Sequence, residues 1–441
     1  MRISISAFWT LLFAATALAL PADTSSQPTS YDGYKVIRIQ LDDNQAKTDQ
    51  VRAMIQKMDL ETWTNGYKPN RLVDVVVEPS KIAAFDSDCG LNGIQYTTMH
   101  EDLGKSIREE NSNSGDEFHI SSTGKGNVQA AADMTWFNNY HPYADHITWL
   151  NSLVTQFPQR TKIVTAGNSY QGRPITGIHI FGSSGGGQRP AVVLHGTVHA
   201  REWISTMVTE FTIYSLLSNY ANATDIKTAV DKYDFYIFPV VNPDGFIYTQ
   251  TNTRLWRKNR APNAGSACDG TDINRNWAAQ WAVTGGASTN PCDQDFKGPS
   301  VGSTPEYKAL SSFQDAKAKA QGVIMYMDIH SYSQLWMTPY GYTCTTLPTN
   351  SNEQVTIARG AVSALKSKYG TTFTAGPTCQ TIYKATGGSV DYSYDTTGAK
   401  YSFAVELRDT GAYGFVLPAN QIYPSGVEFF EGFRWALANI K

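Results

Sequence analysis

Two polar segments, each following a strand-like apolar run, restrict this chain more than anything else in it. His199-Ala200-Arg201-Glu202 comes soon after Ala191-Val192-Val193-Leu194, and His330-Ser331-Tyr332 comes soon after Val323-Ile324-Met325-Tyr326-Met327. A strand that ends in an imidazole or a carboxylate holds that group at a fixed edge, so two such strands can bring two histidines and a glutamate to one cation. Taken alone, a His and a Glu three apart are most often a solvated surface pair. The distant His330 changes the weighing, because two near ligands plus one distant one, with a fourth position open for water, is the common pattern of catalytic zinc. Further on, Ala404-Val405-Glu406-Leu407-Arg408-Asp409 sets a Glu inside a third apolar strand. A carboxylate there should face a cleft or a partner, since burying it unpaired is costly.

The chain has 441 residues, enough for one large α/β domain and an additional N-terminal unit. Its formal charge of −3, with Lys and Arg dispersed, implies neither a nucleic-acid stripe nor a polybasic membrane patch, and peptides are the better partners. Residues 1–19 read as a signal peptide: Arg2 is the positive start, Phe8 to Leu18 the apolar stretch and Ala17-Leu18-Ala19 the cleavage site. The apolar run is too short to span a bilayer, so secretion to the extracellular space is expected, with no membrane partner. Five cysteines in a secreted chain leave one unpaired. Asn222-Ala223-Thr224 is a glycosylation sequon at Asn222, a short pattern that also occurs by chance.

Between about residues 31 and 103 the pattern is strand, helix, strand, helix, strand. Val51, Met54, Ile55 and Met58 recur as one buried helix face, and Val73 to Val77 is a β-branched run. Residues 109–126 are nearly devoid of apolar side chains and rich in turn formers, which reads as a linker of the kind proteases cut. Beyond it, helical and strand patterns alternate: Ile147, Leu150, Leu153 and Val154 on a helix, then strands near Ile163, Ile178, Val192 and Ile237. That alternation predicts an α/β fold, a central sheet with helices on both faces. Ligands of such sheets sit beyond the carboxyl ends of the strands, where His199 and His330 fall.

With Asn242-Pro243-Asp244-Gly245, Arg254-Leu255-Trp256-Arg257-Lys258-Asn259-Arg260, Asp272-Ile273-Asn274-Arg275-Asn276-Trp277 and Thr381-Ile382-Tyr383, these segments resemble the zinc metallocarboxypeptidases, and within them the A/B subfamily of secreted procarboxypeptidases. The resemblance runs from about Phe137 to the C-terminus in motif order. It implies a mixed central sheet in residues 127–441, preceded by a propeptide over residues 20–108 whose small α+β, ferredoxin-like unit covers the cleft as an intramolecular inhibitor. It further implies a zymogen, with residues 109–126 as the activation linker for an unidentified protease.

The resemblance also assigns roles. One Zn2+ per chain would be held by His199, Glu202 and His330, with Glu406 as general base and Arg257 as the stabiliser of the developing oxyanion. Arg275 and Asn274 would bind the substrate's terminal carboxylate, and Tyr383 would cap it. Arg201 and Tyr332 line outer subsites or are structural, two readings of nearly equal weight. Val390 stands in the pocket segment Thr386–Asp391 where basic-specific relatives carry Asp, and with Met337, Ile382 and Ala404 it implies a preference for aromatic or apolar C-terminal residues. If that segment is extended, Asp391 points away from the pocket floor. The resemblance pairs Cys268 with Cys292, and Cys344 with Cys379 as found in some relatives; Cys89 is then a free thiol or an intermolecular partner, and spacing alone leaves the connectivity open. The rival class is a non-catalytic carboxypeptidase-like protein that binds C-terminal peptides. It would be expected to have lost a ligand or the base, and none is missing here.

Overall fold

The computed structural model describes residues 27–64, 66–111 and 134–441. The expected signal peptide and residues 112–126 of the expected linker lie outside them. The N-terminal unit contains β1 (Lys35–Gln40), α1 (Gln45–Lys57), β2 (Glu61–Thr62), β3 (Leu72–Val77), α2 (Ile82–Asn92), β4 (Tyr96–His100) and α3 (Leu103–Glu109). Its antiparallel sheet runs β2-β3-β1-β4, the split β-α-β order of a ferredoxin-like fold. The sequence pattern lacked β2, because a two-residue strand has no period to detect. The face marked by Val51, Met54 and Ile55 packs on Ile37, Ile39, Val73 and Val75. Cys89 is buried in the same core and unpaired, which leaves the free-thiol alternative.

The larger unit contains α4 (Tyr143–Gln156), β5 (Thr161–Asn168), β6 (Pro174–Ile180), β7 (Ala191–Gly196), α5 (Trp203–Ser218), α6 (Thr224–Lys232), β8 (Asp234–Phe238), α7 (Pro243–Thr251), α8 (Pro305–Gln321), β9 (Val323–His330), β10 (Leu335–Thr338), α9 (Ser351–Tyr369), β11 (Thr374–Pro377), α10 (Thr378–Thr381), α11 (Ser389–Asp395), β12 (Tyr401–Glu406) and α12 (Ile422–Asn439). Its sheet is mixed, in the order β11-β10-β12-β9-β7-β8-β6-β5, with β12, β9, β7 and β8 mutually parallel. One core cluster joins α4, α5, α6, α9 and α12 to one face of the sheet, and a second joins α8 and α11 to the other. Strands buried on both faces read as continuous apolar runs, as β7 does. Two of the helices begin on a side-chain cap followed by proline: Asn242-Pro243 opens α7 and Thr304-Pro305 opens α8.

The two units are stitched together where α3 ends. Glu110 and Asn111, at the head of the stretch read as linker, are buried. The Glu110 carboxylate accepts from both Nε (2.8 Å) and Nη2 of Arg254, and its backbone carbonyl accepts from Ala419 N. Asn111 exchanges two hydrogen bonds with the backbone of Tyr140, at 3.0 and 3.2 Å. Arg254 also donates to the carbonyls of Arg201 and Phe415 and lies over the Trp203 ring. Removing one member of a buried ion pair strands the other, at a cost of about 3–5 kcal/mol. With the chain cut between residues 112 and 133, Glu110→Ala should weaken the association of the two units by roughly a hundredfold or more, measured by titrating one against the other. A loss below about tenfold would show that other contacts hold α3 in place.

Candidate active site

The parallel register decides what meets at the sheet edge. β12 pairs with β9 so that Glu406 lies opposite His330, and β7 runs beside β9 and ends just before His199. Glu202 occupies the N-cap position of α5 but makes no capping bond, because its carboxylate turns to the histidines. Its Oε1 is 2.8 Å from His199 Nδ1, its Oε2 is 3.1 Å from His330 Nδ1, and the two Nδ1 atoms are 3.1 Å apart. Ligands about 2.0–2.2 Å from one tetrahedral cation stand roughly 3.3 Å from one another, so the triad needs only a slight widening to hold zinc. All three side chains are buried. Burial opposes ionisation of Glu202, yet the two imidazoles hold its carboxyl well below the usual range.

Carboxylates stand behind both imidazoles. His199 Nε2 lies 3.1 Å from Asp272, which accepts from Arg257 Nη2 at 2.9 Å and from Asn274 N at 2.8 Å. His330 Nε2 lies 3.1 Å from Asp328. Neither aspartate was singled out from the sequence. Asp272 begins a quoted motif, and Asp328 sits two residues before His330 on a strand, a spacing that places both side chains on one face. Arg257 Nη1 approaches Glu202 at 3.5 Å. Among the described residues Glu406 Oε2 is buried without a hydrogen-bond partner, and loss of hydration pushes the carboxyl up to about 8, with His330 opposing the effect and the charge of Glu202 adding to it.

His199, Glu202, Arg257, His330 and Glu406 line one cavity of about 450 Å³, with Asp272 and Asp328 outside its lining. Arg275 is buried behind it, donating through Nη1 to Asn274 O at 2.9 Å, with Nη2 3.5 Å from the Tyr383 hydroxyl and Nε unpaired. Asn274 turns its Oδ1 to Ser389 N, at 2.8 Å. The pocket beyond Arg275 is walled by Met337, Ile382, Val390 and Ala404, and Met337 and Ala404 are direct register partners between β10 and β12. The pocket segment is not extended. It turns at Gly387, where φ is +66° and a Cβ would come within 2.2 Å of Arg275 O, and then enters α11. Asp391 is therefore not simply opposite Val390: it is buried in the first turn of that helix and accepts from Gly341 N and Tyr342 N at 3.0 and 3.2 Å. Burial raises its carboxyl to about 7. Cys268 and Cys292 are bridged, closing the loop that carries Asp272, Asn274 and Arg275, and Cys344 is bridged to Cys379.

The N-terminal unit forms the outer wall of the same cavity through Arg38, Trp63 and Arg71. Trp63 packs edge-on against Tyr332 and Phe415, with centroids 6.4 and 5.3 Å apart. Arg201, 1 % exposed, pairs with Glu61 at 3.1 Å and stacks over Phe415, while Tyr332 donates to the buried Asp74. Both proposed outer-subsite residues are thus occupied by the N-terminal unit. Its contact residues escaped the sequence reading because no local period links positions this far apart in the chain.

A guanidinium sunk beside a metal triad and an apolar pocket points to a metal-dependent enzyme acting next to a free carboxylate. Two family models match, zinc carboxypeptidase over residues 146–432 and carboxypeptidase activation peptide over residues 37–110. Metallocarboxypeptidase A of Trichophyton rubrum is 45% identical over 405 residues, 92% of each chain. Carboxypeptidase A4 of Mus musculus is 36% identical over 414 residues, 93% of this chain and 94% of its own. The crystal structure of thrombin activatable fibrinolysis inhibitor matches with a TM-score of 0.82 at 27% identity, over 92% of this chain and 99% of that one. The chain belongs to the zinc carboxypeptidase family, as a metallocarboxypeptidase that carries its own activation peptide.

Proposed function

We propose that the mature enzyme releases single aromatic or apolar residues such as Phe, Tyr, Trp or Leu from peptide C-termini, with one zinc ion held by His199, Glu202 and His330. The observation that carries this reading is a single cavity that joins the triad and Glu406 to Arg275 and to the wall of Met337, Ile382, Val390 and Ala404. Arg275 takes the terminal carboxylate in a bidentate pair, Asn274 adds an amide donor and Tyr383 closes over it; a buried guanidinium penalises ligands without that charge. The apolar floor rejects Lys and Arg, whose cations would be stranded there. When bound, zinc supplies a Lewis acid for the scissile carbonyl and makes water available as a nucleophile near neutral pH. Glu406 takes the proton of the attacking water and delivers it to the leaving amine. Arg257, held by Asp272, faces the negative charge that develops on the carbonyl oxygen.

Secretion is part of the proposal. The two disulfides and the lack, among the described residues, of any helix long and apolar enough to cross a membrane agree with it. Asn222 is exposed between α5 and α6, where a glycan would meet solvent. An external protease would cut in the linker beyond the buried Glu110 and Asn111, within residues 112–126, and departure of the activation peptide frees Arg201 and Tyr332 to line outer subsites.

The direct test is hydrolysis by the mature protein of peptides ending in Phe and in Lys: a preference for Lys would overturn the specificity, and no hydrolysis of either the catalytic reading. His330→Ala should lose zinc and activity together, checked by metal analysis; full zinc occupancy in that variant refutes the ligand set. Glu406→Gln should keep zinc and fold while kcat falls by about a hundredfold or more, the scale of a lost general base; near-normal kcat removes that role. Val390→Asp should lower the ratio of kcat/KM for a Phe-ending over a Lys-ending peptide by at least about tenfold, some 1.4 kcal/mol. An unchanged ratio in a folded, zinc-loaded variant places the pocket floor elsewhere.

A further inference from the structure

We propose that Asp328 is a positioning residue for the metal centre, one that fixes His330 with its Nδ1 free for the ion and ties that ligand to the helix beneath the specificity pocket. The proposal rests on the reading of His330 as a metal ligand.

Asp328 precedes His330 by two residues on β9, so both side chains rise from the same face of the sheet. Its Oδ2 lies 3.1 Å from His330 Nε2 and accepts the Ser389 hydroxyl at 2.5 Å, and its Oδ1 is buried without a partner. Among the described residues, His330 is the one ion-pair partner of this carboxylate, and no Lys or Arg reaches it. Its register neighbour on β7 is His195, whose Nδ1 is taken by the Tyr326 hydroxyl. A buried carboxylate with no Lys or Arg beside it is costly unless its histidine carries positive charge, from its own proton or from a bound cation.

The neighbouring groups identify the acceptor. His330 Nε2 has two polar neighbours, Asn274 Nδ2 in a hydrogen bond at 3.2 Å and Asp328 Oδ2 as an ion pair at 3.1 Å. The Asn274 amide is oriented by its Oδ1, which accepts from Ser389 N, so it presents N–H groups to the ring. A histidine that gives Nδ1 to a metal carries its proton on Nε2, and an amide donor cannot accept it. Asp328 can. Asp272 behind His199 differs, because it also holds Arg257 and Asn274 N, so altering it disturbs the groups that meet substrate. Asp328 bonds instead to Ser389, the first residue of α11, whose next residue is Val390. The metal ligand and the pocket floor therefore share one anchor.

Outer partners of ligating histidines typically change metal affinity by about 10–100-fold. The full-length protein is stripped with a chelator and its zinc affinity measured by competition with a chelating dye. Asp328→Asn should bind zinc at least about tenfold more weakly, measured on metal-free protein whose circular dichroism matches that of the parent. In the cobalt-loaded protein His199 and His330 each give a strongly shifted, exchangeable Nε2 proton resonance; Asp328→Asn should move the His330 resonance and leave that of His199. Zinc affinity within about twofold of the parent together with an unmoved resonance overturns the proposal. If the asparagine variant does not fold, Ser389→Ala, which removes only the hydroxyl steadying the carboxylate, is read by the same resonance: movement confined to His330 supports the role, and no movement overturns it. His330→Ala that retains zinc removes the underlying ligand reading instead, which separates the two failures.

Discussion

Three parallel strands ending at a common edge set the conditions for everything else in the molecule. Because β12 runs parallel to β9 with Glu406 opposite His330, and β7 lies on the other side of β9, the chain gathers two imidazoles and the Glu202 carboxylate within 4.8 Å, with Glu406 lining the same cavity. Such a gathering is electrostatically unfavourable. Glu202, Glu406, Asp272 and Asp328 would repel one another in a poorly hydrated place, and the structure answers with Arg257 on Asp272 and with imidazoles between the carboxylates. A cation held by the proposed ligands would add to that compensation, and the sheet would hold those ligands in place for it.

The activation peptide works against this site with ordinary interface chemistry. It brings an aromatic anchor, Trp63, to rings already present on the enzyme, pairs Glu61 with Arg201, and takes the Tyr332 hydroxyl on Asp74, whose charge is held by Arg38 of the same unit. A lid made this way needs no distortion of the triad. Latency is then a matter of access: the wall closes over the cleft while the residues proposed for chemistry keep the arrangement they have beneath it.

Much of this was legible in the chain, and the parts that were not share a physical cause. The residues proposed as metal ligands could be picked out because they follow apolar strands, and the helix face of Val51, Met54 and Ile55 because its period repeats. The strand β2 was missed for lack of length. The extended reading of the pocket segment failed because Gly388 at the cap and Asp391 in the first turn favour a short helix over a strand, a preference that no hydrophobic period reveals in seven residues. Asp272 and Asp328 went unremarked because a carboxylate that serves a histidine looks, in sequence, like any other. The pairing of Cys268 with Cys292 came from resemblance, and the structure closes that bridge.

The clasp of Glu110 on Arg254 bears on time and dilution. While the chain is continuous, the activation peptide is tethered beside the cleft and its local concentration is fixed by the length of chain between them, whatever the enzyme's concentration outside. A cut in that connection leaves the buried pair and the Asn111 bonds in place, since they lie on the peptide's side of residue 112. The event changes the molecularity and leaves the contacts alone: a first-order closure becomes a bimolecular equilibrium. Onset of activity then has two clocks, the protease's and that of dissociation: the first runs one way, and dilution pulls the second toward release.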